Sequence, residues 1–375
     1  MLRRILRSPD LRLLIVATVS KWLLAFVDGS NLQTVISPTI GYRWAPVFWL
    51  TLGFGWRGLA WSQVSIFGAF LYFLGWRGAV MAEPLYLFAF IAALLAAGRI
   101  ARSEPWLSSE RSALAFLTGA ILAPVVPAML SGSVLTAIGR APGANPVAVM
   151  SWLRESAGIL ALTPVLLVHF SPCLRRWIGQ KSPEPSIKKV SLSEAAELAI
   201  ESVLWSAALW ASVHFRERYN LNISYLAFLP PLALTLRHGM RLSTIAIAVN
   251  TILATTLWLT LGWQNILSLG DLRLLIAIYS IAILVLAAVV DERRRAGEEL
   301  ESAAKTLKDT EEKFATVFYN APVFLLICNA DDGRMLEVND TFLERMGYSR
   351  LEILGKTSVD LGLITAENKA QSCAN

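Results

Sequence analysis

Apolar residues run in long stretches to about residue 290 and then stop. A membrane-crossing helix needs roughly 17–25 predominantly apolar residues. Stretches of this kind lie at 11–27, 45–56, 59–75, 80–97, 113–130, 147–169, 195–215, 223–236, 242–262 and 272–290. The second is short, and the eighth contains Pro230 and Pro231, which predict a kink. The pattern therefore predicts an all-α polytopic membrane bundle of ten helices, or eight if the weakest stretches do not cross. After residue 290 the pattern changes. In 291–317, DERRRAGEELESAAKTLKDTEEKFATV, Leu300, Leu307 and Phe314 recur every seven residues, with Ala296, Ala303, Thr310 and Val317 between them. That heptad predicts a parallel two-stranded coiled coil continuing the last membrane helix. Its seam is weak because Ala and Thr fill the companion positions. A single solvated connector helix is the alternative. Further on, PVFLLICN reads as a strand and RMLEV as its return across Asp332-Gly333, a tight-turn signal. Asn339 to Met346 reads as a short helix stopped by Gly347, and Ser349 with Glu352 forms a capping box for the next one.

Composition supports the membrane reading. The chain has 375 residues, 55% hydrophobic and 17% charged, where a soluble domain carries about 25% charge. The net charge of +6 suits basic cytoplasmic loops better than nucleic acid, since no recognition motif or ordered basic groove is present. Counted loop by loop, the predicted inner segments hold Arg3, Arg4 and Arg7; Arg57; Arg99, Arg102 and Arg111; Arg175, Arg176, Lys181, Lys188 and Lys189; Arg237 and Arg241; and Arg293 to Arg295. The outer loops hold Arg43, Arg77, Arg140, Arg216 and Arg218. This asymmetry predicts ten spans with both termini in the cytoplasm. The basic, apolar N-terminus could pass for a secretory signal, but Lys21 interrupts it and no clean small-x-small site follows, so it reads as an uncleaved first span. GWRG occurs at 55–58 and again at 75–78, about one crossing apart, and reads as a pair of interfacial anchors. The three cysteines (Cys173, Cys328, Cys373) and three histidines (His169, His214, His238) are dispersed, so no disulfide framework, metal site or haem is expected and the cofactor expectation is none.

Ionisable groups in lipid are costly and point to function or to interior pairing. Arg154 and Glu155 are neighbours inside 147–169. On a helix they point about 100° apart, which predicts that each finds an interior partner on another helix, reaches the outer interface or contacts a ligand directly. Glu194, Glu197 and Glu201 share one helical face. The first two sit near Lys188 and Lys189, and a solvated face is the simplest reading, with Glu201 the deepest. Asn250 is expected to hydrogen-bond across helices. Asp28 and Asp271 fall at predicted outer ends.

Two resemblances follow from these residues. The pattern of Trp152, Glu155, Gly158, Ile159, Leu160 and Pro164 resembles the signature span of the first family of membrane-associated sensor (MASE) domains, with Arg154-Glu155 where that family has Gly-Asp. ISPTIGYRWAPVFWLTLGFGWRG resembles that family's opening segment, and LPPLALTLRHGMRLSTIAIAV its later segment with Arg237 and Gly239. The tail resembles the first half of a PAS domain at Phe314, Asn320-Ala321-Pro322, Asp331, Gly333, Val338-Asn339, Phe342, Gly347-Tyr348, Leu351-Glu352 and Gly355-Lys356. A whole PAS domain has about one hundred residues and five strands, and only two strands are legible here. The expected organisation is a membrane-embedded sensor domain over 1–290, a coiled-coil linker over 291–317 and half a PAS domain over 312–375. The resemblance implies a bacterial inner-membrane sensory protein, working as a homodimer in the bilayer. It would relay a small-molecule or membrane signal to a cytoplasmic output module outside this chain. No phosphoacceptor-His region, GGDEF or Ser-His-Asp set occurs, so the chain is not expected to be an enzyme. The competing class is a transporter or channel-like protein with a regulatory tail, to which charged, Pro-broken spans also fit.

Overall fold

A computed structural model describes residues 8–27, 44–101, 107, 109–129, 147–180, 190–221, 223–263 and 266–363. Arg3, Arg4, Arg7, Asp28, Arg43, Arg102, Arg140, Lys181, Lys188, Lys189 and Cys373 lie outside the described residues. The chain divides into two compact units, Met1–Arg294 and Arg295–Asn375.

In the first unit α1 is Pro9–Val27, α2 is Ala45–Ala101 and α3 is Glu110–Leu122. Then come α4 (Val147–Val165), a π-helical turn at Leu166–Phe170 and α5 (Ser171–Trp177). After these, α6 is Leu192–Tyr219, α7 Leu229–His238, α8 Met240–Thr260 and α9 Leu269–Asn320. Five helices among the described residues are long and apolar enough to cross a membrane: Glu110–Met129, Val149–Trp177, Leu192–Tyr219, Met240–Thr260 and Leu269–Asn320. Several of the remaining predicted spans are shortened by geometry. The stretch 45–54 and the ten residues of α7 each rise only about 15 Å, half of a hydrocarbon core of about 30 Å. Helix α1 is long enough but carries Asp10, Arg12 and Lys21. The expected kink at Pro230 and Pro231 is absent, because the two prolines occupy the first turn of α7, where no intrahelical N–H is required. Val203, Leu204 and Trp210 on α6 stand 53–68% exposed. An apolar face of that kind is stable against lipid and unstable against water.

Both GWRG sequences break helix α2. Gly55 (φ 59°, ψ −137°) and Gly75 (φ 75°, ψ 177°) interrupt it in a conformation that is essentially open only to glycine. The anchor reading is thereby extended: Trp56 and Trp76 are exposed, but each follows a sharp bend. The second glycine has its own role. A Cβ on Gly58 would lie 1.8 Å from the Leu50 carbonyl oxygen, so the chain beyond the bend packs its backbone directly on the helix before it.

The break at Gly55 has a counterpart at Gly239 (φ 61°, ψ −148°). Around the two, Pro46, Leu50, Thr51, Leu52, Gly55 and Arg57 match Pro230, Leu234, Thr235, Leu236, Gly239 and Arg241 at a constant offset of 184 positions. Equivalent residues behave alike. Thr51 and Thr235 are fully buried and donate to Val47 O and Pro231 O, each at 2.7 Å. Each elbow is thus a ten-residue helix opened by a proline, closed by a glycine and followed by a longer helix.

The second unit is built on the end of α9. Strands β1 (Leu326–Cys328) and β2 (Met335–Val338) form an antiparallel pair with a bulge between Ile327 and Cys328. Their turn is the expected one: Gly333 has φ 74° and the Asp332 carboxylate accepts from Arg334 N at 3.0 Å. Helix α10 (Asp340–Met346) ends at Gly347 in the left-handed region, and α11 (Arg350–Ile353) starts on the Ser349–Glu352 capping box. The Ser349 backbone N–H and hydroxyl hold the Glu352 carboxyl below its ordinary range. Met335, Val338, Phe342 and Ile353 are the buried centre of this unit, and Arg350 ties Tyr319 on α9 to Glu337 and Asp340. This is a hairpin with two short helices.

Candidate functional site

Helix α4 places Arg154 and Glu155 in the interior, 8% and 3% exposed. The interior position is the one expected of a paired charge, and the interfacial alternative does not hold; the expectation that the two side chains turn away from each other is corrected. Arg154 Nη2 lies 3.7 Å from Glu155 Oε1, because two long flexible arms close a gap that the Cβ directions leave open. Burial excludes hydration as the reason for the charges. Glu155 faces a crevice between Trp44, Phe90, Pro124, Pro127 and Ile159 that is too tight for a water molecule. Both partners belong to α4, so this contact is made within one helix. Lys21, also buried, lies over the rings of Trp44 and Phe70 at 5.1 and 5.6 Å, which compensates a cation removed from water. Trp152 Nε1 donates to Ile121 O at 2.9 Å. Gly158 and Pro164 are buried. Beside Pro164, Thr163 donates to Ala45 O at 3.3 Å, joining α4 to the start of α2.

A second buried polar cluster joins three helices. Asn250 Nδ2 on α8 donates to Glu201 Oε1 on α6 at 2.8 Å and to the Tyr279 hydroxyl on α9 at 3.0 Å. Ser202 Oγ donates to Glu201 Oε2 at 3.3 Å. All three principal residues are at most 4% exposed, and Trp205 and Phe228 pack their rings on Tyr279 at 5.9 Å. The sequence singled out Glu201 and Asn250 and missed Tyr279. A lone tyrosine in LLIAIYSIAIL, the one polar ring there, was the available signal. Among the described residues, Asn250 Oδ1 and Ser280 Oγ have no hydrogen-bond partner. A carboxyl held by an amide and a hydroxyl can keep three helices in one register. Each such bond contributes only about 0.6 kcal/mol between membrane helices.

The acidic stripe on α6 divides. Glu201 goes to the cluster above. Glu194 takes Arg241 at 3.0 and 3.3 Å, while Glu197 takes His238 at 2.8 Å and Arg237 at 3.7 Å. The stripe is therefore a set of ties to α7 and α8 and not a solvated face. His169 Nε2 meets Arg241 O at 3.0 Å.

The sequence reading took DERRR as the start of the linker and as an inner basic segment, and its first residues also hold other helix ends. Asp291 Oδ2 accepts from Met240 N at 3.2 Å. Glu292 Oε2 accepts from Glu110 N at 2.8 Å. Arg294 Nη2 donates to Arg237 O at 3.0 Å. Two carboxylates thus cap the N-termini of α8 and α3, and a guanidinium caps the C-terminus of α7, the arrangement that helix dipoles favour.

Farther along α9, the heptad residues Leu300, Leu307 and Phe314 are 73%, 62% and 53% exposed, with Phe314 stacked on Phe318 at 5.3 Å. In the tail, Asn339 is the organising polar residue. It is fully buried, accepts from Leu325 N and Phe342 N, and donates to Ala321 O and Val323 O. Asn320 Nδ2 donates to Thr316 O, Pro322 is exposed, and the Tyr348 hydroxyl donates to Leu361 O. Gly333, Gly347 and Gly355 all have positive φ. Among the described residues no three His, Cys, Asp or Glu side chains could hold a metal ion. Compared with protein-family models, curated proteins and solved structures, the chain matches none.

Proposed function

We propose that the chain is a sensory protein of a bacterial inner membrane, and that it relays a membrane or periplasmic signal through α9 to the PAS-like hairpin as a homodimer. The observation that carries this reading is α9 itself, one helix of 52 residues. It begins as one of the most apolar segments of the chain and continues as a charged one whose Leu300, Leu307 and Phe314 stand 53–73% exposed among the described residues. A second copy supplies cover for them, since side chains repeating every seven residues form the seam of a two-stranded coil. Contacts also support the predicted topology. Residues assigned inside meet one another (Arg294 with Arg237 O), and so do residues assigned outside (Arg216 with Asp271, 3.8 Å). Cysteine labelling in cells tests it: Asn265→Cys should react from outside, Lys181→Cys and Leu300→Cys only after permeabilisation. A reversed result at any of the three breaks the topology.

A transporter with a regulatory tail is the second reading, favoured by the helix breaks at Gly55, Gly75 and Gly239, because broken helices are common at transporter sites. Ligand-coupled flux in reconstituted vesicles would favour it over the sensor.

A further inference from the structure

The two elbows, at Gly55 and Gly239, are fastened in the same way. Two residues before each glycine, a backbone carbonyl accepts from an arginine of a distant helix: Gly53 O from Arg175 and Arg237 O from Arg294, both at 3.0 Å. Two residues after each glycine, an arginine meets an acid in the first turn of another helix: Arg57 with Asp10 at 4.0 Å and Arg241 with Glu194 at 3.0 Å. The elbows differ at the glycine itself. At Gly55 the space where a side chain would begin is open, with nothing within 4 Å. At Gly239 it is filled by Asp291, whose Oδ1 would lie 1.7 Å from a Cβ there and whose other oxygen caps Met240 N. The donor helices differ too. Arg175 belongs to α5, which ends at Trp177, whereas Asp291 and Arg294 belong to α9, which runs on to Asn320.

We infer that the elbow at Gly239, gripped on both sides of its bend by Asp291 and Arg294, is the joint through which movement of α7 and α8 is delivered to α9. This rests on the sensor reading above. Helices α8 and α9 are joined at two levels, by Asn250 with Tyr279 and by Met240 with Asp291. Those levels are about 15 Å apart along α8 and about 18 Å apart along α9, so together they fix both the slide and the rotation of α9 against α8. Neither level can yield alone without tilting the helix. The Asp291 carboxylate and the glycine are mutually required: any side chain at 239 expels the carboxylate, and its loss uncaps α8. Glu292 on Glu110 N adds a third attachment to the same turn of α9.

The test uses the full chain in native membranes with Cys173, Cys328 and Cys373 changed to Ser. Single cysteines are placed from 298 to 307 and oxidised, and disulfide-linked dimers are counted. With the elbow intact, Leu300→Cys and Leu307→Cys should link well and Glu298→Cys and Lys305→Cys poorly. Adding Asp291→Ala with Arg294→Ala should lower the contrast between seam and off-seam positions by about tenfold, the factor set by losing a cap of about 1.4 kcal/mol. Asp291→Asn, which keeps an acceptor of the same shape, should do so partially, and is read alone if the double variant fails to insert. Arg175→Ala, the equivalent loss at the first elbow, should leave the pattern in place. An intact linking pattern with unchanged contrast in the Asp291 variants overturns the joint and leaves the sensor reading standing. Absence of seam linking in the unaltered protein overturns the dimeric sensor reading and the joint with it.

Discussion

The elbows at Gly55 and Gly239 have the same backbone and opposite surroundings. After the first, Gly58 presents its bare Cα to the Leu50 carbonyl; after the second, the equivalent position is Leu242, fully buried against Leu234 and Ala246. The first elbow is therefore closed by backbone contact and the second by side chains, which include a carboxylate from α9. A bend sealed by backbone has little freedom to change. One sealed by a half-buried carboxylate and two ion pairs can be released by small differences in free energy, because such pairs are weak individually.

The largest expected effect tests the sealing. Gly58→Ala sets a methyl group 1.8 Å from a backbone oxygen that cannot swing away, and should cost about 4 kcal/mol or more, within the range of severe core changes. Leu242→Ala opens a cavity in place of the contact and should cost about 2–4 kcal/mol. Thermal unfolding in detergent measures both, and tolerance of Gly58→Ala would mean that the first bend is looser than its geometry.

A smaller effect separates the glycines. Gly55→Ala carries backbone strain alone, about 1–3 kcal/mol. Gly239→Ala has the same φ and in addition expels Asp291 from Met240 N, adding about 1 kcal/mol for the lost cap. Equal melting temperatures for the two variants would remove Asp291 from the account.

The smallest contrast lies in the ion pairs. Arg241 and Glu194 are 25% and 22% exposed at 3.0 Å, whereas Arg57 and Asp10 are 60% and 45% exposed at 4.0 Å. Arg57→Ala should change stability by less than about 0.5 kcal/mol, and Arg241→Ala by about 1 kcal/mol. Moderate salt should weaken the Arg57–Asp10 pair first and so widen the ratio between the two effects, because exposed charges are screened more than partly buried ones.

Local patterns were legible in the chain. The hairpin around Asp332-Gly333, the stop at Gly347 and the Ser349–Glu352 cap were all legible, since each depends on a few neighbouring residues and their backbone preferences. Glu201 and Asn250 stood out because polar groups are rare in apolar helices, and Asn250 was expected to bond across helices. Tyr279 did not stand out, because nothing local marks which helix comes to rest beside Asn250. The Arg154–Glu155 contact was missed for a related reason: helix geometry fixes where side chains start, and packing decides where their ends meet.

By itself the sequence determined where apolar helices form, where the charged heptad takes over and where the short turns fall, because these follow from periodicity, burial of apolar groups and the φ angles open to glycine. Only the tertiary structure decided that glycines 55 and 239 make matching elbows, that Pro230 and Pro231 begin a helix in place of bending one, and that Asp291, Glu292 and Arg294 hold three helix ends. Those outcomes depend on which distant backbone groups arrive within hydrogen-bonding reach, and the sum of many weak contacts selects that arrangement without writing it at any one position.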